Sequence, residues 1–145
     1  GDPPQSGDLL DLGCGTGAIA ITMALRAPGA RVWAIDVNAR ARDLCRSNAA
    51  TAGATNVRVC APDEVPDDVR FAAVWSNPAI RIGKVALHEM LLRWLGRLTD
   101  DGEALMVVHH HLGSDSLQRW LDVQGLPTER LASSQGYRIL RTRRG

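Results

Sequence analysis

Short apolar runs alternate with amphipathic stretches along almost the whole chain. Apolar runs of strand length fall near 8–12, 31–36, 56–60, 71–76, 103–109, 128–132 and 137–143. Apolar residues at helical spacing fill 17–27, 39–52, 85–99 and 115–125. In the third of these helices Leu87, Leu91, Trp94, Leu95 and Leu98 share one face, and Asp100-Asp101-Gly102 is the expected stop. In the fourth, Leu117, Trp120 and Leu121 point inward and Asp115 is the expected N-cap, with Gln118 three residues on. Strand–helix alternation implies a mostly parallel sheet with right-handed crossovers. The last two strands have Gly136-Tyr137 between them instead of a helix, which predicts an antiparallel hairpin. The expected fold is α/β: an open, mostly parallel seven-stranded sheet, helices on both faces, and a C-terminal antiparallel hairpin. At 145 residues, one domain spanning 1–145 is expected.

The first strand runs straight into glycines. In Asp8-Leu-Leu-Asp-Leu-Gly-Cys-Gly-Thr-Gly17 the apolar residues end at a turn with glycine at 13, 15 and 17, and an apolar helix follows at once. Glycine lets the backbone turn tightly and lets a ligand approach the main chain. The helix start offers unpaired N–H groups and the positive end of its dipole, which suits a nucleotide-like ligand with an anionic group. Two ligand classes use such a turn. Gly13, Gly15 and Ala18 satisfy the dinucleotide pattern G-x-G-x-x-G/A. Asp11, Gly13, Gly15 and Gly17 satisfy [D/E]-x-G-x-G-x-G, the pattern for S-adenosylmethionine. A carboxylate at a diphosphate site would repel its ligand, so Asp11 favours the sulfonium cofactor over NAD.

On these residues the chain resembles the class I methyltransferases, whose fold is the Rossmann-like sheet expected above. The resemblance implies that Asp11 organises the loop near the methionine amino group, with Cys14, Thr16 and Val37 also against the cofactor. Asp36 follows the second strand, about twenty residues past the loop, where a carboxylate accepts both ribose hydroxyls. NAD proteins share that feature, and Asp36 also sits where a helix cap would, though Asn38 suits the cap better. The resemblance further implies that Asp63, after the third strand, accepts from the adenine amino group. Pro62-Asp63-Glu64 reads equally as an ordinary turn.

The fourth strand ends in Asn77-Pro78-Ala79-Ile80. Ligands in open α/β sheets sit outside the carboxyl ends of strands, which puts this segment at the reactive centre. It is similar to the [N/D/S]-P-P-[F/Y/W] motif of amino-methyltransferases. That likeness implies that Asn77 and the Pro78 carbonyl accept the N–H bonds of a target amine and draw its nitrogen toward tetrahedral geometry. Ala79 and Ile80 depart from the motif. Ile80 packs against a base face without a π-system, and losing the second proline loosens the loop.

The run Ser76 to Lys84 carries the likeness to the small-methyltransferase family, which includes bacterial guanine-N2 methyltransferases of 16S ribosomal RNA. The resemblance covers Asp8 to Arg143 and implies methyl transfer to an exocyclic amine, with ribosomal RNA as partner and the base flipped into the pocket. Arg81, Lys84 and His110 are the expected RNA contacts. A non-catalytic RNA-binding relative, an NAD-dependent oxidoreductase and a small-molecule or protein amino-methyltransferase are the alternatives.

Composition narrows little further. The hydrophobic share is 45% and the formal net charge +1, so no strong field biases the molecule toward nucleic acid or membrane. Lys84 is the single lysine among seventeen basic residues. No run of eighteen apolar residues occurs, so no membrane-spanning helix is expected. Cys14, Cys45 and Cys60 have no metal-like spacing, which predicts free thiols in a reducing cytoplasm. His109-His110-His111 tempts a metal reading, but neighbours on a strand point to opposite faces, and no metal is expected. Arg138, Arg141, Arg143 and Arg144 extend an RNA surface or keep an edge hairpin soluble. The four tryptophans are expected in the core. The polar start without methionine points to a further segment upstream, which in this family helps cover the cofactor.

Overall fold

A computed structural model of the chain describes residues 2–77, 83–110 and 113–145. The elements run β1 Gly7–Leu12, α1 Ala18–Arg26, β2 Ala30–Ile35, α2 Ala39–Ala52, β3 Val57–Cys60, β4 Phe71–Ser76, α3 Lys84–Leu95, β5 Leu98–His109, α4 Ser114–Val123, β6 Thr128–Ser134 and β7 Tyr137–Arg143. They form one seven-stranded sheet in the order β3-β2-β1-β4-β5-β7-β6. The first five strands pair in parallel, and β7 runs antiparallel to both β5 and β6. The expected fold class is therefore the observed one. Among the described residues no helix is long and apolar enough to cross a membrane.

Central strands covered on both faces need apolar residues on both faces, and β1 supplies them. Leu10 and Leu12 join Leu87, Leu91 and Trp94 of α3 and Leu117 and Leu121 of α4 in one core. Leu9 joins Ala20 and Met23 of α1 and Cys45 and Ala49 of α2 in the other. The small residues of this second core let α1 and α2 lie close to the sheet. Trp33 and Trp94 are buried, whereas Trp75 and Trp120 are half-buried, and Trp120 stacks on His88 with ring centroids 3.6 Å apart. The connection from β3 to β4 is tied down by Arg97, whose guanidinium donates to the carbonyls of Pro66 and Val69.

Three expectations about element ends are corrected. The helix read over 85–99 ends at Leu95, and β5 begins at Leu98. Leu98 is fully buried in the sheet, where its pairing with Phe71 is worth more than another half-turn of helix. Three extra residues then bulge before Glu103 pairs with Ala73. Gly102 lies in this bulge, where a Cβ would meet the Phe71 carbonyl oxygen at 2.8 Å. The glycine serves this close approach and caps no helix. Asp115 does not cap α4 either. The cap is Gly113, with no side-chain bond, and Gln118 instead donates to the Thr128 carbonyl of β6 at 3.3 Å. The hairpin turn is Gln135-Gly136, both with positive φ, as a two-residue primed turn requires.

Candidate active site

The site begins where β1 ends. Gly13 and Cys14 both donate to the Ile35 carbonyl, at 3.0 and 2.8 Å, which folds the glycine turn over the end of β2. Gly13, Gly15 and Gly17 all have positive φ. At Gly17 the requirement is double, because a Cβ there would lie 2.7 Å from the Cys45 sulfur of α2. Gly17 is thus the contact through which the loop seats on α2. Asn48 of α2 adds a bond to the Thr16 carbonyl at 2.8 Å. Cys14 is buried beneath the loop. Its thiol is pushed upward by a hydrogen bond to Cys45 and by burial, so it stays protonated. All three cysteines are free and buried.

Asp11 is 1% exposed. Its Oδ2 accepts from the Ala20 amide in the first turn of α1 at 3.1 Å, so a carboxylate already occupies the positive end of that helix. Its Oδ1 is buried without a hydrogen-bond partner among the described residues. Burial raises the carboxyl from 3.8 to about 7, against the pull of the Ala20 bond and with help from the Asp36 charge. A diphosphate would have to approach this acid at close range. A ligand with a cationic amino group would meet a carboxyl ready to ionise.

Asp36 follows β2. Its Oδ2 accepts from the Gly15 amide at 3.1 Å and its Oδ1 from the Asn38 amide at 2.9 Å. The carboxylate is therefore held at the loop by two backbone donors. Asn38 caps α2 with bonds to Arg40 and Ala41, as its type favours, which leaves Asp36 for the loop.

Asn77 arrives from the other side. Ser76 pairs with Leu12 in the sheet, and its hydroxyl donates to the Leu12 carbonyl at 2.9 Å. Asn77 and Gly13 therefore leave neighbouring parallel strands side by side. Gly13, Gly15, Asp36, Val37 and Asn77 all line a cavity of about 520 Å³. Val37 is 83% exposed at this cavity. Five residues expected at the site thus share one space. Another cavity, of about 490 Å³, lies at the opposite ends of the strands, beside Asp8, Arg31 and Arg58, away from all of them.

Other expectations sit elsewhere. Asp63 is exposed on a short 3₁₀ turn, Pro62–Glu64, and pairs with Arg93 of α3 at 3.1 Å. Its neighbour Pro62 lines the cavity. Lys84 is exposed at the start of α3. His110 donates its backbone amide to the Gly136 carbonyl. Arg141 and Arg143 approach Glu103, and Arg141 also bonds Glu129, while Arg144 pairs with Asp100. Much of the basic finish is thus neutralised within the protein. Pro78, Ala79, Ile80, Arg81 and His111 lie outside the described residues.

One wall of the cavity carries no signal in the sequence. Ala86, Glu89, Met90, Arg93 and Trp94 of α3 line the same cavity. Ala86, Met90 and Arg93 form a second stripe beside the leucine stripe that packs the core. Helical spacing groups them, but nothing in their residue types marks a ligand.

The methyltransferase small domain family matches residues 2–141. The chain belongs to this family. The methyltransferase is 31% identical over 148 residues to ribosomal RNA small subunit methyltransferase C of Ectopseudomonas mendocina, covering 99% of this chain and 44% of that protein. It is 58% identical over 48 residues to the release factor glutamine methyltransferase of Chlorobaculum tepidum, covering 33% of this chain and 16% of that one. The chain thus spans less than half the length of either relative. Among solved structures, a TehB-like SAM-dependent methyltransferase from Corynebacterium glutamicum superposes with a TM-score of 0.78 at 17% identity, over 99% of this chain and 83% of that chain. The cofactor of the methyltransferase is S-adenosylmethionine. The buried Asp11 oxygen, without a partner among the described residues, and the cavity beside Asp36 fit that group.

Proposed function

We propose that this methyltransferase acts on an exocyclic amino group, with guanine in ribosomal RNA as the substrate. One observation carries the reading. Asn77 leaves β4 beside Gly13 and lines the cavity that holds Gly15 and Asp36. An amide acceptor beside the cofactor loop is what amine methylation needs, because nucleophile and methyl donor must meet in line. When bound, S-adenosylmethionine supplies an electrophilic methyl group. Asp11 faces the methionine end through the loop, together with Gly13, Cys14, Gly15, Thr16 and Gly17. Asp36, held by the Gly15 and Asn38 amides, accepts the ribose hydroxyls. Val37, Pro62 and Met90 give apolar walls to the adenine, and Asp63 accepts from its amino group. Asn77 and the Pro78 carbonyl accept the two N–H bonds of the target amine, which loosens the lone pair from the base.

Ile80 packs on the flipped base, and Arg81, Lys84 and His110 hold the flanking RNA. We read residues 1–145 as one domain and the protein as cytoplasmic, where its substrate is. The RNA assignment is supported by a ribosomal RNA methyltransferase that matches along nearly the whole chain. A glutamine side chain offers a planar conjugated amine of the same kind, and the shorter match favours it locally. The experiment is transfer of tritiated methyl from S-adenosylmethionine to protein-free ribosomal RNA, ribosomal subunits and a release factor in parallel. Label in guanine of the RNA is expected. Label in the release factor alone, or in none of the three with cofactor bound, refutes the RNA reading.

A further inference from the structure

Across the cavity mouth, Arg93 of α3 reaches the turn that carries Asp63. Its Nη2 lies 3.1 Å from Asp63 Oδ1, and Pro62 on one side and Arg93 on the other both line the cavity. Neither end of this bridge is loose. The guanidinium carbon sits 4.8 Å from the ring centroid of Trp94, which is buried, so a cation–π contact fixes where the charge lies. The turn is closed by the Glu64 carboxylate, which accepts from the Ala61 amide at 2.6 Å, and it opens with a proline of fixed φ. Asp63 itself is 95% exposed on its side chain. Without a partner, such a carboxylate samples many rotamers in water.

We infer that Arg93 is a positioning residue that holds the Asp63 carboxylate at the purine edge and so makes the pocket select a 6-amino purine over a 6-keto one. The inference rests on the reading of Asp63 as the adenine acceptor. The chemistry follows from donor and acceptor inventory. An ionised carboxylate only accepts, and its two oxygens offer about four lone-pair sites. One contact with Arg93 therefore leaves capacity for the N–H of an adenine amine. A keto oxygen at the same place would face the carboxylate with no proton between them. Arg93 also keeps the Asp63 side chain directed, so its removal weakens the discrimination while the walls formed by Val37, Pro62 and Met90 stay in place.

The test is calorimetric binding of S-adenosylhomocysteine and S-inosylhomocysteine to the full chain and to three variants. The wild type should prefer the adenosyl compound by about tenfold. Asp63→Asn should erase or invert the preference, because a carboxamide donates to the keto oxygen. Arg93→Ala should lower the preference by about threefold, and less in high salt, because the pair is exposed. Arg93→Lys should keep most of it. Thermal melts check that each variant is folded. If Asp63→Asn collapses the preference and Arg93→Ala leaves it intact, Arg93 has no positioning role and Asp63 stands. If Asp63→Asn also leaves it unchanged, or the wild type shows no preference, the acceptor reading itself fails, and this inference with it.

Discussion

The buried acid beneath the glycine loop should make cofactor binding release a proton. Asp11 is raised from 3.8 to about 7, first by burial. That shift corresponds to on the order of 4 kcal/mol between the two protonation states. Near pH 6 the free protein holds Asp11 protonated. On the proposed placement of the methionine end beside Asp11, the ammonium of the bound nucleoside amino acid favours the carboxylate, so binding should release the proton. With an essential pKa near 7, the binding-competent fraction at pH 6 is roughly one in eleven. The dissociation constant of S-adenosylhomocysteine should therefore be about tenfold weaker at pH 6 than its plateau above pH 8. The assay is calorimetry across this range in two buffers of different ionisation enthalpy, which counts the protons released. Asp11→Asn keeps an oxygen for the Ala20 amide and should flatten the profile. A wild-type affinity constant between pH 5.5 and 7, or an Asp11→Asn slope equal to the wild type's, would refute the reasoning.

The same proton should appear in stability. The folded chain holds it while the unfolded chain gives it up between pH about 4 and about 7, so stability without ligand should fall as pH rises through that window. Urea titrations at pH 5 and 7.5 should lose that component in Asp11→Asn. Gly17→Ala should cost roughly 2–4 kcal/mol, from left-handed backbone strain and from overlap with the Cys45 sulfur. The double variant with Cys45→Ala should recover only the overlap part in the same urea titration. Asn56→Ala should cost roughly 1–3 kcal/mol in Tm-derived stability, because its amide contacts the carbonyls of Ala24, Ala27 and Ala30. Asn77→Ala should lower kcat on RNA by on the order of a hundredfold, with a much smaller change in S-adenosylhomocysteine affinity. Equal losses in both would make Asn77 a cofactor residue only.

The sequence alone determined the strand–turn–helix from Asp8 to Arg26, because each of its signals is local. Apolar alternation, three glycines and an acid at fixed spacing specify that geometry wherever the segment sits. It also determined that Asn77 ends a strand, and that Asn38 rather than Asp36 caps α2. The end of α3 was not legible, because Leu98 fits the helical stripe as well as it fits a strand. Its burial in the sheet beside Phe71 decides the matter. The α3 wall of the cavity and the pairing of Arg93 with Asp63 join residues 30 apart in sequence. Only the crossover that lays α3 over the sheet brings them together. Asp11 is the sharpest case. Its spacing named it as part of the loop, but its proton affinity comes from packing on every side, and no pattern along the chain records how much water a carboxylate has lost.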